Sequence, residues 1–180
     1  MVNKESLLKL IQDGNVEEFT SIISKSSGLI DLTESDFTGL TIDGFLFNNV
    51  DLSGSDFSVC EITQTKFIDS NLTAAAFLKS NINYTEFINS DLSGVKFNGS
   101  TVLECDFAES DLSGTYFIAA DLTKSDFSLS QNIDLCIFDD DTVWPDPEFL
   151  PDDFDSTYSN DLSHLRDDDD GYASDSGYDY

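Results

Sequence analysis

Few residues in this chain could do chemistry, and none of them is placed as catalysis requires. The only histidine, His164, lies next to the only arginine, Arg166, in a polar C-terminal stretch that has no apolar pattern from which to build a pocket. General acid–base catalysis requires a base that is held within hydrogen-bond distance of the proton it moves. We therefore predict that the protein is not an enzyme.

The three cysteines do not indicate a cofactor or a disulfide framework. Cys60, Cys105 and Cys136 are too few and too scattered for such a framework, and no zinc spacing, Walker loop or Rossmann glycine pattern occurs. Cys60 and Cys105 also occupy small-residue positions of a repeat described below, which favours core packing over nucleophilic catalysis. We expect no cofactor.

One acidic run suggests a calcium loop but does not fit one. Asp167–Asp170 are followed by Gly171. If Gly171 were the sixth residue of an EF-hand loop, the first and twelfth residues would be Arg166 and Gly177, which cannot supply the carboxylates that the loop needs. The run predicts weak cation binding at most and no specific metal site.

The net charge of −28 on 180 residues restricts the partners. A chain this acidic repels nucleic acid and anionic membrane surfaces, so we expect it to bind the basic surface of another protein. The apolar stretch at the N-terminus is too short for a signal peptide, and no segment reaches the length of a membrane span. These features predict a cytoplasmic protein.

Phenylalanine, with 15 copies, shows how the chain is organised. In steps of five residues from Leu32 to Phe127, twenty successive positions are apolar, and every second one is Phe. The residue two places earlier is usually small, and the residue between them is most often Asp. A period of five matches neither a helix nor a strand, so it predicts a coil that turns a corner every five residues.

Four such sides would close one coil of twenty residues. A superperiod of twenty supports this count, because two sides would then stack only Phe, one would stack Leu and one mostly Ile. The large and small residues would both point inward, with the large residues forming ladders along the axis.

These repeats resemble the pentapeptide-repeat family, whose motif is A(D/N)LXX. The matching stretches include SDFTG, VDLSG, SDFSV, SNLTA, SDLSG and ADLTK, and the resemblance covers residues 30–129 without a gap. It implies an all-β solenoid, the right-handed quadrilateral (four-sided) β-helix, here with about five coils. The spacing of the inward residues leads to the same shape.

The remaining segments predict caps for this solenoid and a tail. We expect a helical cap over residues 1–28, the β-helix over 29–138, a closing segment over 139–154, and over 155–180 an acidic tail that should not fold alone. Two short helices, 4–13 and 16–26, would make up the cap, although a partner-binding helix pair is an alternative. Trp144, Phe149, Leu150 and Phe154 could seal the last coil or join two copies end to end as a homodimer.

The resemblance also suggests a function, because the best understood family members bind DNA gyrase or topoisomerase IV as DNA mimics. Some inhibit the enzyme and others protect it from quinolones, which gives antibiotic resistance. Residues 29–138 carry a net charge of −13, which over a rod of roughly 24 Å is about one charge per 1.8 Å, close to the value of about 1.7 Å for duplex DNA. The alternative is a structural scaffold or regulatory protein whose charge is a by-product of the Asp that the motif prefers.

If the protein is a mimic, we predict that it binds through one column of aspartates on the first side, and Asn71 interrupts this column. Two neighbouring aspartates and the acidic run of the tail would add to this surface. The predicted partner-binding residues are Asp31, Asp51, Asp91 and Asp111 of the column, Asp36 and Asp56 beside it, and Asp167, Asp168, Asp169 and Asp170 of the tail.

Overall fold

The computed structural model describes residues 3–157. Two helices come first, α1 (Lys4–Gln12) and α2 (Val16–Lys25), and they agree with the two short helices predicted for the cap. Nine strands of two or three residues follow, with single-turn 3₁₀ helices at Ile133–Leu135 and Pro147–Phe149 near the end. The strands are β1 (Ile30–Asp31), β2 (Thr41–Asp43), β3 (Leu46–Asn48), β4 (Val50–Asp51), β5 (Glu61–Thr63), β6 (Lys66–Ile68), β7 (Asn81–Asn83), β8 (Glu86–Ile88) and β9 (Thr101–Leu103).

The strands pair in parallel at a constant offset of twenty residues. β2, β5, β7 and β9 stack in one sheet, while β3, β6 and β8 stack in another. β1 pairs with β4, and single bridges extend this pair, so that residues 31, 51, 71, 91, 111 and 131 lie above one another. The predicted quadrilateral β-helix of about five coils is therefore confirmed. We number its faces from residues 30–34 (first), 35–39 (second), 40–44 (third) and 45–49 (fourth), each continued at twenty-residue steps.

Phenylalanine rings fill the core in two stacks. Along the second face and along the fourth, successive rings lie parallel with centroids 4.4 to 5.4 Å apart. Rings of the two stacks meet edge to face at about 6 Å, for example Phe67 and Phe77. Stacked and edge-to-face pairs each contribute about 0.5–1.5 kcal/mol beyond area burial, so this core favours one register.

The small inward residues do more than leave room for the rings. The Ser80 hydroxyl donates to the Phe57 carbonyl of the previous coil and accepts from the Cys60 amide. Ser70 makes the same two contacts, with the Phe47 carbonyl and the Val50 amide. Hydroxyls at this position therefore tie each coil to the one before it, a role that the sequence analysis did not predict.

The two helices cover the start of the solenoid. Leu7, Ile11, Phe19 and Ile23 are buried, and the Phe19 ring meets Phe45 and Phe47 edge to face at 5.3 and 5.2 Å. Phe45 occupies a position that is small in later coils, and its contact with the helices explains that exception. The helix pair is thus a cap in this structure, as predicted.

The solenoid ends in a sixth, irregular turn. Gln131 is still in register with Asp111, but the next bridges, Tyr116 to Ile137 and Asp121 to Val143, have offsets of 21 and 22 residues. The Trp144 ring takes the next inward position and packs within 6 Å of Phe117, Phe127, Phe138 and Phe154. These aromatic residues seal the last coil, and end-to-end pairing of two copies stays a prediction.

The last of the five residues on each side, at positions 34, 39, 44 and onward, has a left-handed backbone conformation. This position has a φ of +48° to +72° from Glu34 to Lys124, whether or not it is glycine. Glycine and asparagine adopt this conformation readily, but a β-branched residue is strained in it. Val59, with φ +60° and 60% exposure, carries this strain without gaining burial.

Val59→Asn should therefore stabilise the protein by about 1 kcal/mol, because it removes the strain of a β-branched residue and gives up little packing. The reciprocal change, Gly94→Val at the equivalent position (φ +67°), should cost about 1–2 kcal/mol, although its added Cβ meets no atom within 4 Å. Guanidinium denaturation of both variants measures these effects. If both variants were more stable than the wild type, or both were less stable, the argument from backbone strain would be contradicted.

Candidate functional site

The predicted acid column exists as a straight row on the first face. Asp31 bridges Asp51, Asn71 follows, and Asp91 bridges Asp111. Asp31 and Asp91 are exposed, whereas Asp51 and Asp111 are partly buried. The structure therefore brings four of the predicted residues together at the spacing of adjacent coils, about 4.8 Å per step.

Each of these aspartates also closes a local turn. The Oδ1 atom of Asp91 accepts a hydrogen bond of 2.9 Å from the Ser93 amide, and Asp111 does the same with Ser113. Asn71 makes the identical contact with the Thr73 amide at 2.9 Å. This is an Asx turn, which explains why the motif accepts Asp and Asn alike. One carboxylate oxygen of each Asp is therefore structural, and its negative charge is not needed for the turn.

The hydrogen bonds of these turns also lower the pKa of some of the predicted binding aspartates. Hydrogen bonds from the Thr33 amide and hydroxyl lower the pKa of Asp31, and Thr38 does the same for Asp36. Partial burial would raise the pKa of Asp111, but hydrogen bonds from Asn132 and Ser113 outweigh it and lower the pKa. These groups stay ionised below their ordinary value of 3.8. Their stabilisation is thus present above that pH and is lost as the pH falls through their lowered values.

Amides relieve part of the repulsion between stacked carboxylates. The Asn71 side chain donates to Asp51 at 3.1 Å, and Asn132 donates to Asp111 at 2.9 Å. No such amide separates Asp91 from Asp111, which are direct neighbours. Like charges placed opposite each other on adjacent strands destabilise a sheet, so this pair lowers the stability of the solenoid.

Asp36 and Asp56 lie around the corner, on the second face. They bridge each other beside the first two members of the column, so they extend its N-terminal end, as predicted. Farther along, the same face carries Lys79 and Lys96 instead of acids. The extension therefore stops after two coils. Asp167 to Asp170, also predicted as binding residues, lie outside the described residues.

The four faces differ sharply in charge over residues 30–129. The first face carries five acids and no lysine, the second two acids and two lysines, the third four acids and one lysine, and the fourth five acids and one lysine. On the third and fourth faces the lysine pairs with an acid of an adjacent coil: Lys124 with Glu104 at 3.1 Å, and Lys66 with Glu86 at 2.7 Å. The first face is thus the most uniform anionic surface of these coils.

Sequence reasoning missed the second acidic column, on the fourth face. Asp106 bridges Asp126 there, and each closes an Asx turn at 2.9 Å, with the Ala108 and Ser128 amides respectively. Steps of twenty residues from Asp106 would have found the pair. It matches Asp91 and Asp111 in local geometry on a different face.

The three cysteines are free and buried. Burial raises the pKa of Cys60 to about 11, and that of Cys105 and Cys136 to about 12. The Cys60 thiol lies 3.0 Å from the Phe37 carbonyl, in the same inter-coil contact that serine makes elsewhere.

Within residues 3–157, no group of three or more His, Cys, Asp or Glu side chains is arranged to hold a metal ion. No helix in this part of the chain is long and apolar enough to cross a membrane.

Two family models match the repeats. One, for a pentapeptide repeat region, matches residues 30–107, and another, for eight copies of the pentapeptide repeat, matches residues 103–130. Together they cover more than half of the chain. The chain belongs to the pentapeptide-repeat family. The predicted resemblance is therefore confirmed.

The solved structure of Rfr23 agrees on the fold. The pentapeptide repeat protein Rfr23 from the cyanobacterium Cyanothece 51142 superposes with a TM-score of 0.60 at 17% identity, over 63% of this chain and 90% of that one. HetL, involved in heterocyst differentiation regulation in Nostoc sp. strain PCC 7120, gives a TM-score of 0.33 at 13% identity, over 65% of this chain and 64% of its own.

QnrB1, a plasmid-mediated fluoroquinolone resistance protein, gives a TM-score of 0.30 at 15% identity, over 62% of this chain and 79% of that one. The scores of HetL and QnrB1 are too low to support any statement about this chain. A search of curated proteins finds no match.

The raised thiol pKa values lead to a simple test of cysteine chemistry. We expect Cys60, Cys105 and Cys136 to react with a disulfide reagent such as DTNB at pH 8 at least about a hundredfold more slowly than a free thiol, because only the thiolate attacks. Unfolding in guanidinium should release three equivalents rapidly. Fast labelling of one cysteine in the folded protein would mark a reactive thiol and contradict this view.

Proposed function

We propose that this protein is a non-enzymatic binding solenoid that presents its first face to a basic, DNA-binding groove of another protein and so acts as a DNA mimic. The partner class suggested by the family resemblance is DNA gyrase or topoisomerase IV, which the solenoid would inhibit or protect. The observation that carries the proposal is the first face, with five acids and no lysine over five coils.

The charge density of this face is adequate for mimicry. Five acids over roughly 24 Å give about one charge per 4.8 Å, compared with about one per 3.4 Å along a single DNA strand. The first face alone thus provides about two-thirds of one strand's density. The net negative third and fourth faces would add to the long-range attraction, which raises association rates with basic grooves.

The turns also prepare the carboxylates for binding. Because Oδ1 of each column aspartate is held by a backbone amide, the side chain has little rotational freedom left to lose. Ordering a free side chain on association costs about 0.5–1.5 kcal/mol, so a pre-ordered row binds more tightly than the same charges on flexible stems.

The second candidate is a scaffold with an unrelated partner. The Asx turns favour it, because the fold alone accounts for most aspartates of the repeat. The two candidates differ in whether the negative charge of the first face contributes to binding, and Asn71 shows how to remove that charge without losing the turn.

The decisive comparison uses two matched double variants, Asp91→Asn with Asp111→Asn on the first face, and Asp106→Asn with Asp126→Asn on the fourth. Each removes two charges from a stacked pair and keeps its Asx turns. We expect the first variant to weaken binding to purified DNA gyrase by about tenfold or more, since close interfacial charge pairs contribute about 1.5 kcal/mol or more each. The fourth-face control should change it less than threefold. Fluorescence anisotropy at 50 and 200 mM salt measures both, with duplex DNA as competitor.

Circular dichroism and thermal unfolding must show that both variants fold like the wild type. Equal losses in the two variants would mean that bulk charge, and not the first face, drives binding. Binding to gyrase that resists both salt and duplex DNA would reject the mimic and favour the scaffold. No binding at all would reject gyrase as the partner.

A further inference from the structure

The fourth face carries a row of apolar residues on its outer side. Ile68, Ile88 and Ala108 each follow the inward phenylalanine of their coil, and Ile68 lies directly opposite Ile88 in the pairing of β6 with β8. All three side chains are partly exposed. Leu129, which lies one coil farther and next to the line of the row, is 68% exposed. The apolar row therefore follows the solenoid axis for about 10 Å, and Leu129 extends it by roughly 5 Å.

The fold does not require apolar residues at this position. On the second and third faces, apolar residues occur there but never in two successive coils, as with Leu103 on the third face. On the first face, the same position holds only hydroxyl residues, which are Thr33, Ser53, Thr73, Ser93 and Ser113. A cross-strand pair such as Ile68 and Ile88 stabilises the sheet through the sides that face the neighbouring coil, but the outer surface stays exposed. A continuous exposed apolar strip with a polar rim is typical of an interaction site.

Acids border the apolar row on both sides. The fourth face has a net charge of −4 in these coils, and its one lysine, Lys66, pairs with Glu86 at 2.7 Å. The bordering acids are Glu86, Asp106 and Asp126 in the column before the phenylalanines, and Asp69 and Glu109 at the corner with the first face. The surface that fits this face therefore has an apolar centre with positive charge on both sides.

The direction of the row favours a helix as the partner. A peptide strand adds to the edge of a sheet, but this row crosses the strands and offers no edge. An α-helix satisfies its own backbone hydrogen bonds and presents one apolar stripe with a pitch of about 5.4 Å. Two turns of such a helix span about 10.8 Å, compared with about 9.6 Å from Ile68 to Ala108. Successive turns of a helix can therefore lie over successive coils.

We propose that the fourth face binds an amphipathic helix of another protein, whose apolar stripe has lysine or arginine on both sides. The helix lies along the solenoid axis, with its apolar side chains over Ile68, Ile88 and Ala108, and its cations meet the bordering acids. This surface is separate from the aspartate column of the first face. The inference therefore does not depend on the proposed DNA mimicry.

A designed peptide is the probe for this surface. It has about eighteen residues, all leucine or lysine, with the leucines at helical spacing so that they form one stripe. A scrambled peptide of the same composition has no stripe and serves as its control. Fluorescence anisotropy with the full-length protein measures both affinities. We expect the stripe peptide to bind about ten times more tightly or better, because bulk charge attracts the two peptides equally.

The double variant Ile68→Thr with Ile88→Thr tests the apolar row. Threonine keeps the β-branched shape that a strand favours, and the first face already carries it at this position. We expect the stripe peptide to bind about tenfold more weakly or worse, because the helix loses its apolar contact. Leu103→Thr, at the equivalent position of the third face, is the matched control and should change the affinity less than about twofold. Circular dichroism checks that both variants fold.

A second pair of variants tests the bordering charge and does not depend on the isoleucine variant being folded. Asp69→Asn with Glu109→Gln alters two exposed side chains of the fourth face, whereas Asp91→Asn with Asp111→Asn removes the same charge from the first face. We expect the fourth-face variant to weaken the stripe peptide by about threefold or more, and the first-face variant to weaken it less.

Amide resonances of the wild type locate the contact. The stripe peptide should shift those of residues 66–69, 86–89 and 106–109. No binding, equal affinity for the stripe and scrambled peptides, or shifts confined to another face would each overturn the proposal. Equal losses in the isoleucine variant and Leu103→Thr, or in the two charge variants, would do the same.

Discussion

The parallel pairing of each coil with the next, at a fixed step of twenty residues, is the constraint on which this structure depends. Backbone amides of one coil donate to carbonyls of the neighbouring coil along all four faces, for example Phe77 to Lys96 at 2.7 Å and Phe87 to Asp106 at 2.7 Å. The phenylalanine stacks and the serine hydroxyls both require this step. A slip by one residue would place rings outside and charges inside, so the register is strongly specified.

The same step governs the surface, because whatever repeats at twenty residues becomes a column. Identical acids therefore stack as near neighbours, as in Asp91 and Asp111, and the fold must tolerate their repulsion. It does so by using one carboxylate oxygen to close the turn and by placing amides such as Asn71 between some of the acids. The turn contact and the negative charge thus reside in the same side chain, and an Asp-to-Asn change removes the charge while it keeps the turn.

Rings and small residues fill the core, so the four faces differ in the outward side chains that they present. Burial raises the pKa of the Cys60 and Cys105 thiols, and inward hydroxyls such as that of Ser80 donate to backbone carbonyls. What distinguishes one face from another is the charge that its columns carry, from −5 on the first to zero on the second. The faces are therefore best compared one by one, and the proposed binding of a DNA-binding partner concerns the acidic first face.

The sequence by itself determined the coil, its four sides, the two phenylalanine stacks and the acid column, because each follows from a spacing of five or twenty residues. It also determined the helical cap, whose apolar residues give each short helix one apolar side. Only the tertiary structure showed the bonds from Ser80 to Phe57 and Cys60, the left-handed residue at each corner, and the irregular last turn from Gln131 to Phe149. These features depend on atoms that meet across coils, where backbone geometry decides which neighbour a polar group reaches, and a one-dimensional pattern does not contain that geometry.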